Sequence, residues 1–277
     1  MEKKKRIVSK ILPILIIIVG LVLCLIYLVG AFIAKWENDK GKSIFDDLKS
    51  PIILEENDGN DEQPEEGIEE ESLAVYKDLI PQLREEYSNG DIVGYIDYPD
   101  AGIEYSIVQG KTNDEYLRKS PYKKYSQDGS IILDTDNDVR LMDSANIIYG
   151  HAMKSGTMFG KLQKHVKSVG LGEEFYVYTE KERITYKTIA YGVVDPSDRA
   201  NFLQLGQTGY PEFLKHVSNT MDKYELCIND NRFVTLITCT YLSKTNKVRF
   251  GVVGAEIARE PYEKEESIIE DIIRIKK

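Results

Sequence analysis

An uncharged apolar segment near the N-terminus places the strongest constraint on what this chain can become. Residues 11–34 carry no charged side chain, and they follow a basic head, residues 1–10, in which Lys and Arg together occur five times. A helix of that length, at about 1.5 Å per residue, covers a hydrocarbon core about 30 Å thick. Trp36 follows where an interfacial aromatic residue is expected. We therefore predict one transmembrane anchor at residues 11–34.

The charge around this segment predicts its orientation. Basic residues precede it, and the cytoplasmic flanks of membrane helices are enriched in Lys and Arg. The N-terminus of a single-pass membrane protein is therefore expected in the cytoplasm, with everything after Lys35 outside the cell. A cleaved signal peptide is the alternative, but its apolar stretch is shorter, about 7–15 residues, and ends at a small-residue cleavage site. Residues 31–34 (AFIA) match such a site poorly.

Composition divides the rest of the chain. Residues 35–72 are predicted to be an acidic extracellular spacer, because residues 55–72 are rich in Glu and Asp and have few bulky apolar side chains to bury. We expect residues 55–72 to form an extended, solvated tether. Residues 73–260 form the predicted folded domain, and residues 261–277 a C-terminal amphipathic helix or tail. The net charge of −10 argues against a nucleic-acid partner.

The folded domain has the pattern of a mainly β protein. After Gly90, short runs rich in β-branched and aromatic residues alternate with turn residues. The eight runs are residues 92–96, 103–108, 130–133, 145–149, 175–179, 184–194, 232–239 and 247–257. Eight such runs predict a closed or nearly closed eight-stranded β-barrel. Apolar residues at helical spacing predict a few short helices, at residues 73–88, 157–166 and 209–221.

Several kinds of site are missing from the sequence. Three cysteines are too few for a disulfide framework. No phosphate-binding loop, dinucleotide fingerprint or zinc motif occurs, so we expect neither a cofactor nor a metal. Residues 134–138 (DTDND) begin like a calcium loop, but Val139 occupies the position that needs Gly, and Ala145 the one that needs Glu. A solvated turn is expected there.

Three residues in separate runs carry a possible chemistry. Cys239 ends an apolar β-type run, and His151 follows another run that ends in Gly. A thiolate is a strong nucleophile, and a neighbouring imidazolium lowers the pKa of the thiol. Arg249 lies ten residues after Cys239, so the two runs are expected to be antiparallel neighbours, and Arg249 could stabilise an oxyanion. Each residue taken alone also fits a purely structural role: Cys239 as a buried residue, His151 as a turn residue and Arg249 as a surface residue.

Taken together, the motifs around these residues resemble the signature set of the sortase family. The motifs are NIIYGHAMKSGTMFG at 146–160, TLITC at 235–239 and VRFGVV at 248–253. They occur in the order found in that family, and the resemblance covers about residues 89–257. The sequence is most similar to class B sortases, through YGHAMKSGTMFG, through VQG at 108–110 followed by NDEYL at 113–117, and through a long insert before TLITC.

The resemblance implies an eight-stranded sortase-type barrel and a transpeptidase activity. Cys239 would attack the carbonyl of a Thr in a C-terminal sorting signal of a secreted protein and form a thioacyl-enzyme. His151 would protonate the leaving amine, and Arg249 would steady the substrate and the oxyanion. Thr238 would contact the substrate, and the insert, residues 195–231, would shape the recognition groove. The partners would be secreted proteins and a peptidoglycan amine in a Gram-positive-type envelope, or a pilin Lys in a pilin-polymerising variant.

Some alternatives stay open at this point. Some class B sortases have an acidic residue directly after the nucleophile, but here Thr240 occupies that position, so no acidic partner is assigned to His151. Water could resolve the thioacyl intermediate and make the enzyme a hydrolase. An anchored binding module without catalysis is a different class of function. An L,D-transpeptidase would show a His-Gly-Cys run, which Ile237-Thr238-Cys239 does not match.

Overall fold

The structure is a computed structural model, and its described part comprises residues 2–56, 73–195, 197, 199, 202–203, 210–225, 232–239 and 248–262. Nine strands occur in these ranges: β1 (Ile92–Tyr98), β2 (Ile103–Val108), β3 (Ile131–Leu133), β4 (Ala145–Tyr149), β5 (Glu174–Tyr178), β6 (Glu182–Val194), β7 (Lys223–Tyr224), β8 (Phe233–Cys239) and β9 (Arg249–Pro261). The same ranges contain four α-helices: α1 (Glu2–Glu56), α2 (Leu79–Tyr87), α3 (Leu162–Val169) and α4 (Tyr210–Thr220).

Eight of these strands close into a barrel. Their order is β5-β1-β2-β3-β4-β8-β9-β6, and β6 pairs again with β5, which closes the ring. The β2–β3 and β4–β8 pairs are parallel, and the remaining pairs are antiparallel. This confirms the predicted mainly β fold with a closed eight-stranded barrel. The two-residue strand β7, which pairs with β6, was not predicted because it is too short to show a pattern.

The alternation of side chains along the strands fills the barrel. Side chains at every second position point inward and form one apolar cluster. Its inward members on the last strands include Val234, Leu236, Phe250 and Val252. Residues on the outer face of the same strands, such as Phe233 and Ile237, belong to a separate cluster with the insert. The barrel therefore has a packed interior, and chemistry is available on its outer face and rim.

Helix α1 contains the predicted membrane anchor and extends beyond it. The stretch Leu12–Leu48 is long and apolar enough to cross a membrane by length and composition, and its most apolar part is not buried in the protein. The helix then continues to Glu56, so residues 37–56 of the predicted spacer are helical. The acidic residues 57–72 and the C-terminal residues 263–277 lie outside the described residues.

The part of α1 after Trp36 packs on the outer face of the barrel. Phe45 is fully buried and contacts the rings of Tyr95, Tyr76 and Tyr178, with centroids 4.7, 5.6 and 5.1 Å away. Gly41 permits this approach, because a Cβ there would lie 2.5 Å from the Tyr87 hydroxyl oxygen. Aromatic packing therefore joins α1 to the folded domain.

The predicted helices around the domain are present. A 3₁₀ turn (Ala74–Asp78) leads into α2, and Pro81 lies in the first turn of α2, where proline is tolerated. Helix α4 lies within the predicted region 209–221, whereas α3 overlaps the predicted region 157–166 only from Leu162 onward and continues to Val169. Helix α4 belongs to the insert and packs against the outer face of the barrel through Phe213 and Val217.

Candidate active site

Three adjacent strands bring the predicted site residues into one row. In the parallel β4–β8 pair, Tyr149 is the partner of Ile237, and the Gly150 amide donates to the Ile237 carbonyl at 3.1 Å, which continues the ladder past β4. If this register is extended by two residues beyond the end of β4, it brings the backbone of His151 level with Cys239. In the antiparallel β8–β9 pair, Cys239 is the partner of Arg249. Positions 151, 239 and 249 therefore lie side by side across the sheet.

The row belongs to the outer face of the barrel. Positions 233 and 237 of β8 carry side chains of the outer cluster, whereas positions 234 and 236 carry inward side chains. Because strand positions alternate between faces, position 239 shares the outer face, and so does its partner position 249. The site therefore lies at the rim of the face that the insert covers.

The ring of His151 is half-buried and held by a backbone carbonyl. Its Nε2 atom lies 2.9 Å from the Leu117 carbonyl oxygen. A carbonyl can only accept, so Nε2 carries the hydrogen and donates, and in the neutral ring Nδ1 is left as the acceptor that can take a proton. This contact could not be predicted from the sequence, because a main-chain acceptor leaves no residue-type signal.

The glycine before His151 is required by close packing. A Cβ on Gly150 would lie 2.6 Å from Ile131 Cδ1 and 2.6 Å from Phe159 Cδ2. The Phe159 amide donates to the His151 carbonyl at 2.9 Å, which folds the loop back on itself. The motif YGH therefore combines a packing requirement at Gly150 with a positioned imidazole.

Arg249 supplies a permanent positive charge beside Cys239. It begins β9, its side chain is half-buried, and its Nη1 atom lies 3.5 Å from the Val248 carbonyl oxygen. A guanidinium is planar, always charged and rich in donors, so at this position it can stabilise negative charge that develops on a carbonyl oxygen.

Thr238 does not share the position of the other predicted site residues. It is 2% exposed and lies on the inward side of β8 with Val234 and Leu236. Its hydroxyl has no hydrogen-bond partner among the described residues. The structure therefore brings positions 151, 239 and 249 together and leaves Thr238 on the opposite face of the strand.

The prediction that residues 134–138 form a solvated turn is wrong for the first residue, Asp134. Asp134 is 0% exposed and accepts hydrogen bonds from Arg199, Tyr149 and Asn113. Its carboxylate is buried because a guanidinium from the insert, 65 residues away in sequence, neutralises it. Local sequence could not show this partner. The only hint was the position of the Asp directly after a buried strand.

The insert forms a wall next to the row. Its described residues Phe202, Phe213, Val217 and Met221 pack against the outer face of the barrel. The ring of Phe213 stacks on Phe233 of β8 with centroids 4.4 Å apart. Beyond this wall the half-buried His151 and Arg249 remain accessible, as a substrate would require.

Comparison with known proteins identifies the family of this fold and site. A family model described as the Sortase domain matches residues 96–257, which is more than half of the chain. The chain therefore belongs to the sortase family of cysteine transpeptidases.

The relatives of the chain are class B sortases, as its motifs predicted. Sortase B of Listeria monocytogenes is 25% identical over 231 residues, which cover 81% of this chain and 88% of the relative. A solved class B sortase of Streptococcus pyogenes, involved in pilus biogenesis, shows 30% identity and a TM-score of 0.54 over 62% of this chain and 96% of its own. Sortase B of Clostridium perfringens shows 28% identity and a TM-score of 0.56 over 64% and 99%.

Proposed function

We propose that this chain is a membrane-anchored extracellular transpeptidase that cleaves a C-terminal sorting signal of secreted proteins and transfers them to a peptidoglycan amine of the cell wall. The observation that carries the proposal is the row formed by position 151, just after β4, position 239 on β8 and position 249 on β9. We assign Cys239 as the nucleophile, His151 as the acid and base, and Arg249 as the group that stabilises the oxyanion.

The first half of the reaction forms a thioester. The Cys239 thiolate attacks the carbonyl carbon of the scissile peptide bond, and a tetrahedral oxyanion forms near Arg249. As the C–N bond breaks, protonated His151 gives its Nδ1 proton to the leaving amine. The Leu117 carbonyl keeps the ring in place through Nε2 during this step. The products are a thioacyl-enzyme and the released C-terminal fragment.

The second half transfers the acyl group. An acceptor amine attacks the thioester carbonyl, neutral His151 takes a proton from that amine at Nδ1, and the C–S bond breaks. The thiolate leaves and the imidazolium is restored, so the enzyme returns to its starting state. If water attacked instead, the same intermediate would yield hydrolysis.

The anchor supports the proposed location. Helix α1 contains a stretch that could cross a membrane, and the basic head precedes it. With the head in the cytoplasm, the barrel would lie outside the cell, where secreted clients and wall precursors are found. The Streptococcus pyogenes relative is described as involved in pilus biogenesis, so a pilin amine is the acceptor to test beside peptidoglycan amines.

The test uses the full chain in detergent micelles. It is incubated with a panel of sorting-signal peptides, with and without peptidoglycan-type or pilin-type amines, while intact protein mass and peptide products are followed. We expect a mass increase equal to the acyl fragment and a product that carries the added amine. Cys239→Ala should lose both, whereas Cys227→Ala, the matched control, should keep both.

Two results would count against the proposal. An adduct that persists in Cys239→Ala would exclude Cys239 as the nucleophile. A folded protein that cleaves no peptide in a broad panel, and whose Cys239 is alkylated no faster than an ordinary thiol, would favour an anchored binding module.

A further inference from the structure

A buried acidic group behind the candidate site connects three segments of the chain. The carboxylate of Asp134, at the end of β3, is fully buried. It accepts from the Tyr149 hydroxyl at 2.7 Å and from Asn113 Nδ2 at 3.1 Å. It also accepts from Arg199 Nε and Nη2, both at 2.6 Å. A buried carboxylate needs such a complete set of partners, because each missing donor leaves charge uncompensated.

The first connection runs to the strand that leads to His151. Tyr149 is the last residue of β4, two residues before His151, and its hydroxyl donates to Asp134. Burial and the neighbouring Asp134 charge raise the pKa of the Tyr149 phenol, so the hydroxyl keeps its proton and remains a donor. Asp134 therefore fixes the end of β4 on the side away from Cys239.

The second connection runs to the loop whose carbonyl holds the His151 ring. Asn113 donates to Asp134 and accepts from the Thr135 amide at 2.9 Å, so both ends of its amide are bound. Four residues later, the Leu117 carbonyl accepts the Nε2–H of His151. Displacement of Asn113 would therefore displace the acceptor that orients the imidazole.

The third connection runs to the insert. Arg199 binds Asp134 in a bidentate pair and also donates to Asp136 Oδ2 at 2.6 Å. Burial alone would raise the pKa of the Asp134 carboxyl, but the hydrogen bonds from Arg199 and Tyr149 hold it below its usual value. Among the other described residues of the insert, apolar side chains rest on the barrel without directional contacts, and β7 near its end pairs with β6. The bidentate pair is therefore a directional side-chain contact that holds the first part of the insert on the barrel.

We infer that Asp134 and Arg199 are positioning residues: their pair holds the recognition wall formed by the insert, and Asp134 also holds, through Asn113, the loop that orients the imidazole of His151. The Arg199 connection holds the wall for peptide binding, and the Asn113 connection holds the Leu117 carbonyl for proton transfer. This inference rests on the proposed transpeptidase function, because it assigns one connection of Asp134 to peptide binding and another to proton transfer.

The test separates the two connections by kinetics on the full chain in micelles. Arg199→Gln should raise KM for the sorting peptide about 10-fold and change kcat by less than about 2-fold, because it loosens the wall. Arg199→Lys keeps the positive charge but loses the bidentate geometry of the guanidinium, so its KM should lie between those of Arg199→Gln and wild type. Asn113→Ala should lower kcat about 10-fold with little change in KM, because small displacements of a catalytic group are costly.

The control is a similar ion pair far from the site. Arg183 and Glu260 are bound at 2.7 Å, at the end of the β6–β9 ladder opposite Val194 and Arg249. The distance along the strands from this ion pair to the Val194–Arg249 end is on the order of 35 Å. Arg183→Gln should leave both KM and kcat as in wild type. The inference would be overturned if Arg199→Gln and Asn113→Ala changed kcat and KM in the same way. It would also be overturned if neither variant changed kcat or KM.

A second measurement does not depend on activity. Hydrogen exchange on the full chain should be faster in α4 for Arg199→Gln than for wild type, and unchanged in α4 for Asn113→Ala and Arg183→Gln. If wild type cleaved no peptide, the proposed function would fail, and the exchange result alone would decide whether the Asp134–Arg199 pair holds the insert. Unchanged exchange of α4 in Arg199→Gln would show that the pair does not hold the insert.

Discussion

Two outer faces of the same barrel are covered by segments from outside it, and the covers differ in kind. Helices α1 and α2 cover the side of β1 and β2 with fully buried aromatic and aliphatic side chains, among them Phe45 and Leu79. The insert covers β4, β8 and β9, and there the row of His151, Cys239 and Arg249 lies at the edge of the cover. The first face is sealed, and the second stays partly open.

The difference shows how one barrel separates support from chemistry. Apolar burial is non-directional and adds stability over a large area, so the sealed face can hold the domain on helix α1. The open face combines half-buried charged groups with hydrogen bonds of defined direction, which catalysis requires. Changes on the open face should therefore reduce activity with little loss of stability, and changes on the sealed face should do the reverse.

The largest effect is expected for the proposed nucleophile. Cys239→Ala should lower the transpeptidation rate by about 10⁴-fold or more, because no thioester can form. The free energy of unfolding should change by less than about 1 kcal/mol. Product formation and urea denaturation of the same preparation measure the two quantities. A variant that loses stability as strongly as activity would contradict the separation of the two faces.

A smaller effect is expected for the neighbouring cation. Arg249→Lys keeps the charge but loses the planar fork, so we expect kcat/KM to fall by about 10²-fold. Rapid-quench measurement of thioacyl formation gives the affected step. Arg232→Lys, next to β8 and at the far end of the same strand pair, is the matched control and should keep the wild-type rate. If Arg249→Lys acylated as fast as wild type, Arg249 would not stabilise the oxyanion.

Much of the open face could be predicted because its determinants are local. The alternation of apolar residues predicted the runs that became β4, β8 and β9, and the short link after Cys239 predicted that β8 and β9 are antiparallel neighbours. The motifs gave His151, Cys239 and Arg249, and the register places these positions in one row. Their roles remain predictions until the variants are measured.

The remaining features depend on partners distant in sequence. Asp134 was expected in solvent because Arg199, which neutralises it, comes from another part of the chain. Phe45 was assigned to a spacer because the tyrosines that bury it follow 31 or more residues later. The burial of Asp134 and of Phe45 is set by tertiary structure and leaves no local pattern. Thr238 is a different case, because strand alternation already places its side chain inward, and the substrate contact implied by the resemblance stays a prediction.

On the sealed face, the largest loss of stability is expected at Phe45. Phe45→Ala should lower the free energy of unfolding by about 3–5 kcal/mol, because it leaves a cavity among three aromatic rings. Denaturation of the full chain in micelles measures this loss. Tyr125→Ala, at a 77% exposed ring, is the control and should change little. Activity per folded molecule should stay at the wild-type level in both variants.

The smallest effect is expected one turn earlier in α1, at an ion pair on the rim of the sealed face. Lys42 is bound to Glu104, and their side chains are 44% and 21% exposed. An exposed pair contributes about 0–1 kcal/mol, since solvent and salt screen it, so Lys42→Met should lower stability by less than about 1 kcal/mol. The loss should shrink further in high salt, whereas the loss in Phe45→Ala should not. If Lys42→Met cost as much as Phe45→Ala, charge rather than aromatic packing would hold α1 on the barrel, and the contrast between a sealed apolar face and a charged open face would fail.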